Sequence, residues 1–404
     1  MPPLHFDVKE HVIPCQYIRE YAGATLNDQE DTLQLHIKQY VPKEQAHGPR
    51  PVTIVGAHAN GFPKELYEPF WDELYEALKV RGQPIRSIWI ADVASQGQSG
   101  VMNEEKLGND RRTQLAYIHP RLLSSLVLVD PVIHDAGPTT SKLRTTSNFA
   151  RSSTFRRDIW SSRTKAAASF QKHPAYQTWD PRVLDLWIEY GLRQLPTALY
   201  PEDPSYSQES DQSEGLSTEG PSVTLTTTKA QEVLAYLRPN FDGKDSNGNL
   251  VANRRTHPDI DLSTTELYPF YRPEPPTVFK NLPHLRPSTL YLFGDTSELS
   301  FPAARKQKLD VTGTGVGGSG GVKEGRVKEV VLDGVGHLIP MVAPKDSALA
   351  TADFLASDLE RWRKDEEEFR KEWQAKSKLE RTSISEEYKR QIGGDPKVKS
   401  PQKL

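Results

Sequence analysis

One cysteine, Cys15, is the whole thiol content of a 404-residue chain. Without a second thiol there is no intramolecular disulfide and no cysteine-based metal site. A basic excess is missing as well: 51 Lys and Arg stand against 54 Asp and Glu, a formal net charge of −3. That balance excludes the strongly basic footprint of a nucleic-acid-binding domain. Long apolar runs are lacking too. LSSLVLV is about the longest, far short of the roughly 18 residues a membrane span requires, and the opening MPPLHFDVKEHVI has no apolar signal region. These absences lead us to expect a soluble intracellular protein with no membrane span, no nucleic-acid partner, no metal and no cofactor.

What is present is an α/β pattern. FDVKEHVIPCQYIREY and TLQLHIKQYVP alternate apolar and polar residues, as half-exposed strands do. PVTIVGAH is a continuous apolar run, which suits a strand buried on both faces of a parallel sheet. In PKELYEPFWDELYEALKVRG, Leu66, Phe70, Leu74, Ala77 and Leu78 share one helical face; Pro63 suits its first turn and Gly82 its end. IRSIWIADVASQGQSG follows as a buried strand running into a glycine turn. Strand, helix, strand at this spacing is a βαβ unit, so a mostly parallel sheet with flanking helices is expected.

LLSSLVLVDPVI, STLYLFGDTSELS and RVKEVVLDGVGHLIPM supply further buried strands, and DSALATADFLASDLERW a closing helix. Residues 140–284 differ in character, with helical TKAAASF, PRVLDLWIEYGL and TTKAQEVLAYLRP between long polar loops. The stretch 200–222 is rich in Ser, Glu, Pro and Gly and is expected to be disordered. Glu366–Arg370, Glu367–Lys371 and Glu372–Lys376 are spaced four apart in the favourable order, so the tail should be a solvated helix. The organisation expected is a core in two halves, 1–139 and 285–363, interrupted by a helical lid at 140–284 and followed by a charged tail at 364–404.

Two segments carry chemistry. VGAHANGFP (55–63) leaves backbone N–H groups above the end of a strand, where they can stabilise the oxyanion of acyl transfer. Asn60, Gly61 and Phe62 are the candidates: Gly61 permits close approach and Phe62 would offer its N–H. His58 there reads as incidental. GVGHLIP (334–340) presents His337 on a glycine-flanked loop after a buried strand, as a general base must be. The acid that orients it is sought at strand ends, in the order Asp295, Asp130, Glu298.

On these residues the chain resembles the α/β-hydrolase family. HANGFPKELYEPFWDEL, FRRDIWSSRTKAAASF, WDPRVLDLWIEYGLR and GVGGSGGVKEGRVKEVVLDGVGHLIPM look like a fungal branch that includes peroxisomal lipase-like hydrolases and the hydrolases of AK-toxin-type biosynthesis. The resemblance covers nearly all of residues 5–365. It implies a Ser–acid–His hydrolase of ester or other acyl bonds, with a helical lid after the sixth strand. His337 matches the family histidine and Phe62 its oxyanion position. The family often places its acid three residues after the glycine that follows the strand, which here is Ser297, so Asp295 is off register.

The largest absence then becomes visible. The family's nucleophile sits in G-x-S-x-G, on a strained turn between the fifth strand and a helix. Between Gly100 and His119 only 18 residues remain, where a helix, strand, turn and helix need on the order of 40. LGND reads as the run-in to a missing helix and QLAYIHPRLL as the tail of another. Ser319 matches the pattern literally in GGSGG, but inside a flexible glycine loop; Ser99 in SQGQSG lacks the second glycine. No nucleophile is assigned. The expectation is a hydrolase lineage acting on a small-molecule acyl or ester substrate, inactive or incomplete in this form; the alternative is a non-catalytic ligand-binding or regulatory protein of the same fold.

The residues Gln402, Lys403 and Leu404 resemble the Ser-Lys-Leu address read by the peroxisomal import receptor, with Gln in place of the small residue. A peroxisomal location is expected, with the cytoplasm as alternative. A reporter carrying the last dozen or so residues should enter peroxisomes and lose that location without Leu404; a cytosolic reporter contradicts the address.

Overall fold

The computed structural model describes residues 2–15, 24–28, 30–44, 50–108, 122–135, 143–201, 220–241, 243–249, 251, 253–260 and 269–393. The junction 109–121, most of the polar stretch 200–222 and the final Gln402-Lys403-Leu404 lie outside the described residues. The chain divides into two compact units, 1–354 and 355–404. Among the described residues no helix is long and apolar enough to cross a membrane.

The first unit opens with β1 (Phe6–Pro14), β2 (Gln34–Pro42) and β3 (Val52–Ala57). A short 3₁₀ turn at Lys64–Tyr67 leads into α1 (Glu68–Val80), followed by β4 (Ile85–Ala91), α2 (Gly97–Met102) and β5 (Ser125–Val129). The alternation read in the first two strands becomes an antiparallel hairpin, and β2 pairs antiparallel with β4. The parallel partner of β4 is β3, as the βαβ spacing requires, so the sheet order is β1-β2-β4-β3. Where a glycine turn was expected after β4, six residues form α2. Its first residue, Gly97, has φ +54, and a Cβ there would meet the Asp92 carboxyl at 2.4 Å.

The insertion runs through α3 (Leu143–Phe155), β6 (Ile159–Trp160), α4 (Arg163–Lys172), α5 (Pro174–Gln177), α6 (Pro181–Tyr190), β7 (Leu192–Gln194), β8 (Val223–Leu225), α7 (Lys229–Tyr236), β9 (Arg238–Pro239), β10 (Phe270–Tyr271) and α8 (Glu274–Asn281). Its helices are capped by their own sequence: Ser162, Asp180 and Thr228 each accept a backbone N–H at the start of α4, α6 and α7. A small antiparallel sheet, β6-β8-β7, accompanies them. The core then resumes with β11 (Ser288–Gly294), α9 (Pro302–Val311), β12 (Val327–Leu332), α10 (Ile339–Val342) and α11 (Pro344–Ala375). β11 is parallel to both neighbours in the order β12-β11-β5 and is buried along its whole length. In the second unit α12 (Lys378–Thr382) and α13 (Glu386–Gln391) follow the end of α11, where Glu367 and Lys371 pair at 2.8 Å.

One expectation for the core fails in an informative way. PVTIVGAH reads as a strand buried on both faces, yet β3 alternates between half-buried and exposed residues, and Val55 is 64% exposed. β5 is only half-buried throughout. The reason is pairing. Among the described residues β3 is paired to β4 alone and β5 to β11 alone, and no strand joins the two.

The β1-β2-β4-β3 half is held by a buried ionic cluster that the segment PKELYEPF encodes. Lys64 is fully buried, its Nζ 2.5 Å from Asp92 Oδ2 and 3.0 Å from Glu65 Oε1. Lys38 lies 3.2 Å from Glu65 and 3.3 Å from Glu68, and the Tyr40 hydroxyl donates to Glu68 at 2.9 Å. Three carboxyls thus face two ammonium groups, and their titration divides accordingly. Burial raises the Glu68 pKa, against the pull of Lys38. Burial works the same way on Glu65, but Lys64 and Lys38 outweigh it and hold that carboxyl below its usual range. With a folded pKa below the unfolded one, Glu65 contributes stability above the unfolded value and loses it as pH falls through the folded one. Lys64→Met strands the buried Asp92 carboxylate and leaves Glu65 to Lys38 alone, and should cost about 3–5 kcal/mol. Urea unfolding of wild type and variant across the acid range checks this; an equally stable variant contradicts it.

Candidate active site

The ends of β5, β11 and β12 bring together three side chains. Asp130 follows β5 directly, is fully buried, and has φ +41, a left-handed conformation that a non-glycine residue adopts under strain. Its N–H donates to Leu292 O at 2.7 Å, extending the ladder and fixing the direction of its carboxyl. Asp130 Oδ2 accepts from Ser297 Oγ at 2.5 Å and lies 2.7 Å from His337 Nδ1. An ionised carboxylate can only accept, so Nδ1 carries the proton and Nε2 is the basic nitrogen. The His337 side chain is 32% exposed, whereas Asp130 is at 0%. This is an imidazole oriented from behind and reachable from in front, as general-base work requires.

Of the three acids read from the sequence, the one placed beside the imidazole is the second-ranked Asp130. Asp295, ranked first, is exposed, and its Oδ1 accepts from the Val335 amide at 3.2 Å, bracing the loop that carries His337. Glu298 is exposed and makes no described bond to His337. Asp130, ranked second, is the carboxyl that touches the imidazole. The register position three residues past Gly294 holds Ser297, and its hydroxyl supports Asp130 instead of supplying an acid. Register along β11 alone could not reveal this, because the partner arrives from β5.

The 58–62 loop stands at the end of β3. His58 is a brace: Nε2 accepts from Val93 N at 2.9 Å, and Nδ1 donates to Ala59 O at 2.9 Å. Asn60 Nδ2 donates to Glu232 O of α7 at 3.0 Å, and Gly61 N donates to Gln96 Oε1 at 2.8 Å. Gly61 has φ +86, and a Cβ there would press on the Glu232 side chain at 2.9 Å. Phe62 N turns back to Ala59 O at 3.2 Å, while its ring packs edge-on against Trp179 and Trp187 of the insertion. The Gly61 and Phe62 amides therefore already have protein acceptors. Gln96 and Glu232, which tie this loop to the insertion, were not singled out in the sequence; nothing in SQGQSG or KAQEVLAY marks them.

Neither serine considered as a relocated nucleophile is near the base. Ser99 is fully buried, accepts from His36 N at 2.7 Å and donates to Asp92 O at 3.0 Å, pinning α2 to β2 and β4. Ser319 is held in the glycine loop, with its N–H on Leu285 O and its hydroxyl near Gly321 N. Among the described residues no group of three His, Cys, Asp or Glu could hold a metal ion.

No family model matches the chain. The type I acyl-CoA thioesterase mpaH of Penicillium roqueforti is 38% identical, over 93% of this chain and 93% of its own length. The abhydrolase domain-containing protein ACTT2-1 of Alternaria alternata is 27% identical over 62% of this chain and 81% of its own. Among solved structures, the peroxisomal α/β-hydrolase Lpx1 of Saccharomyces cerevisiae superposes with a TM-score of 0.59 at 14% identity, covering 88% of this chain and 89% of that one. The chain belongs to the α/β-hydrolase family, in its fungal branch. The mpaH alignment runs over 413 positions, and 93% of 404 residues is about 376, so roughly 37 aligned positions have no residue in this chain.

Side-chain nitrogen NMR of the histidines tests the pair directly. His337 should be found as the Nδ1–H tautomer, Asp130→Ala should abolish that preference, and Asp295→Ala should preserve it; a tautomer indifferent to Asp130 contradicts the geometry.

Proposed function

We propose that this chain is a serine-type acyl-ester or acyl-thioester hydrolase that lacks its nucleophile-bearing segment and retains its base and acid. The observation that carries the reading is the His337–Asp130 pair at the ends of β12 and β5, beside a strand order that breaks between β3 and β5. In the family fold the strand before the elbow stands at that break, with the nucleophile on the turn that follows it. The roughly 37 unmatched positions are close to the on-the-order-of-40 residues that a helix, strand, elbow and helix occupy. A thioester is favoured over an oxygen ester because mpaH is named as an acyl-CoA thioesterase.

The missing chemistry is then specific. A serine beside His337 would lose its proton to Nε2 as Oγ attacks the acyl carbonyl, and Asp130 would stabilise the imidazolium. The proton would pass to the departing thiol, and water would hydrolyse the acyl-enzyme by the same route in reverse order. Without that serine the base has only water to act on, and hydrolysis has no covalent intermediate to divide its barrier. The lid, the 58–62 loop and the base–acid pair persist, so ligand binding is retained even where turnover is not. A peroxisomal rather than cytoplasmic home belongs to the same proposal, and the reporter experiment above decides it.

The 404-residue chain should not react with a fluorophosphonate probe, and transcripts sequenced across the codons for Asp110 and Arg111 should include a form with an in-frame block encoding G-x-S-x-G. The chain with that block should label with the probe and hydrolyse acyl thioesters. There, Asp130→Asn should lower kcat by roughly 10³–10⁴-fold, and Asp295→Asn far less. Probe labelling of the 404-residue chain that is lost in His337→Ala would overturn the reading and place a nucleophile elsewhere in the chain.

A further inference from the structure

Around the phenol of Tyr236, at the end of α7, two half-buried arginines each hold a buried Nε without an acceptor. The Tyr236 hydroxyl is hydrogen-bonded with Asn60 of the 58–62 loop, and burial pushes its pKa up to about 12. Arg156, just past α3, gives one Nη to Glu232, while its Nε is buried without an acceptor. Arg272, just past β10, makes no ion pair among the described residues, and its Nε is likewise buried without an acceptor. Both cations act electrostatically on Tyr236. Glu232, the carboxylate at this point, is already engaged by Arg156 and by the Ser153 hydroxyl at 2.5 Å. Burial holds Arg272 below the ordinary guanidinium range, offset only in part by Glu274 and Tyr236.

A desolvated cation with unfilled donors destabilises a fold unless an anion completes it. The base–acid pair has no use for these groups; Tyr236, on which both act, is hydrogen-bonded with Asn60, and Arg156 reaches Glu232, whose carbonyl accepts from Asn60. We propose that Arg272, with Arg156 and Tyr236, forms a recognition site for an anionic group of the substrate, a carboxylate or a phosphate, adjoining the 58–62 loop. This deepens the acyl-hydrolase reading and rests on it. A planar guanidinium fork suits the paired oxygens of either group. The anion has two possible sources: a second acid on the acyl chain, or the phosphates of a thiol carrier such as coenzyme A. Arg272 is thus a specificity residue that selects charged acyl substrates or charged carriers, and it takes no part in bond breaking.

Calorimetry on the 404-residue chain, which binds without turning over, tests the site with three probes: decanedioic acid monomethyl ester, its dimethyl ester, and coenzyme A. The monoester should bind about tenfold more tightly than the diester, and Arg272→Met should erase that difference while leaving the diester unchanged. Loss of coenzyme A affinity in its place assigns the anion to the carrier and supports the same site. Arg272→Lys, which keeps the charge without the fork, should lie between. Because Arg272→Met removes a buried Nε that has no acceptor, its melting temperature should not fall; a fall marks the arginine as structural and overturns the proposal. If the diester binds and Arg272→Met changes no probe, the anion site is wrong and the acyl-hydrolase reading stands. If no probe binds the wild-type chain, both are wrong.

Discussion

A strand in the middle of a sheet has two rows of backbone groups to satisfy, and among the described residues β3 and β5 are each paired on one side only. Most features of this chain follow from that. The apolar run of β3 was composed for burial on both faces, and its side chains stand half-exposed instead. β3 carries no charge and no proline, and an edge strand of that composition is open to pairing with another strand. Unpaired buried groups cost roughly 1–3 kcal/mol each, against a net stability of about 5–15 kcal/mol for a domain. Whatever keeps each half of the sheet intact must therefore be local to that half.

It is. The β1-β2-β4-β3 half is fixed by the Lys64–Asp92–Glu65–Lys38–Glu68 cluster, and the β12-β11-β5 half by a fully buried parallel strand with Tyr291, Phe293 and Val327 at its centre. The functional groups divide along the same line. Asp130, Ser297 and His337 belong entirely to the second half, and the 58–62 loop to the first. The 140–284 segment touches both: Asn60 is bonded to Glu232 of α7, and Asp180, which caps α6, donates its N–H to Met341 O of α10 at 2.8 Å. Geometry within the base–acid pair is thus set inside the second half, while its placement relative to the 58–62 loop rests on contacts between the halves, such as Arg81 with Asp353 at 2.7 Å, and on the 140–284 segment.

How much of this the sequence disclosed depended on whether the signal was local. Strand periodicity, helix caps and the glycine-flanked His337 are properties of short windows, and the corresponding elements stand where those windows lie. The spacing between Gly100 and His119, too short for a helix, strand and elbow, falls on residues 109–121, which lie outside the described residues. The acid was not legible, because Asp130 and Asp295 both follow buried strands, and only pairing between β5 and β11 decides which carboxyl faces the imidazole. Nor was the meaning of PKELYEPF: Lys64, Glu65 and Glu68 have the look of a solvated helix start, and only long-range contacts with Lys38, Tyr40 and Asp92 reveal a buried ionic core. Arg156 and Arg272 are invisible for the same reason, being distant in sequence and joined only around Tyr236.

We propose that a strand is lacking between β3 and β5, which have no common partner among the described residues, and amide hydrogen exchange measures this most directly. In the 404-residue chain the amides of β4 and β11, paired on both sides, should be protected to near the global unfolding limit. Those of β3 and β5 should exchange faster, and gain protection when the block is restored. Equal protection of β3, β4, β5 and β11 in the 404-residue chain would contradict the claim, for it would mean that the two central strands have found partners and that the sheet is whole.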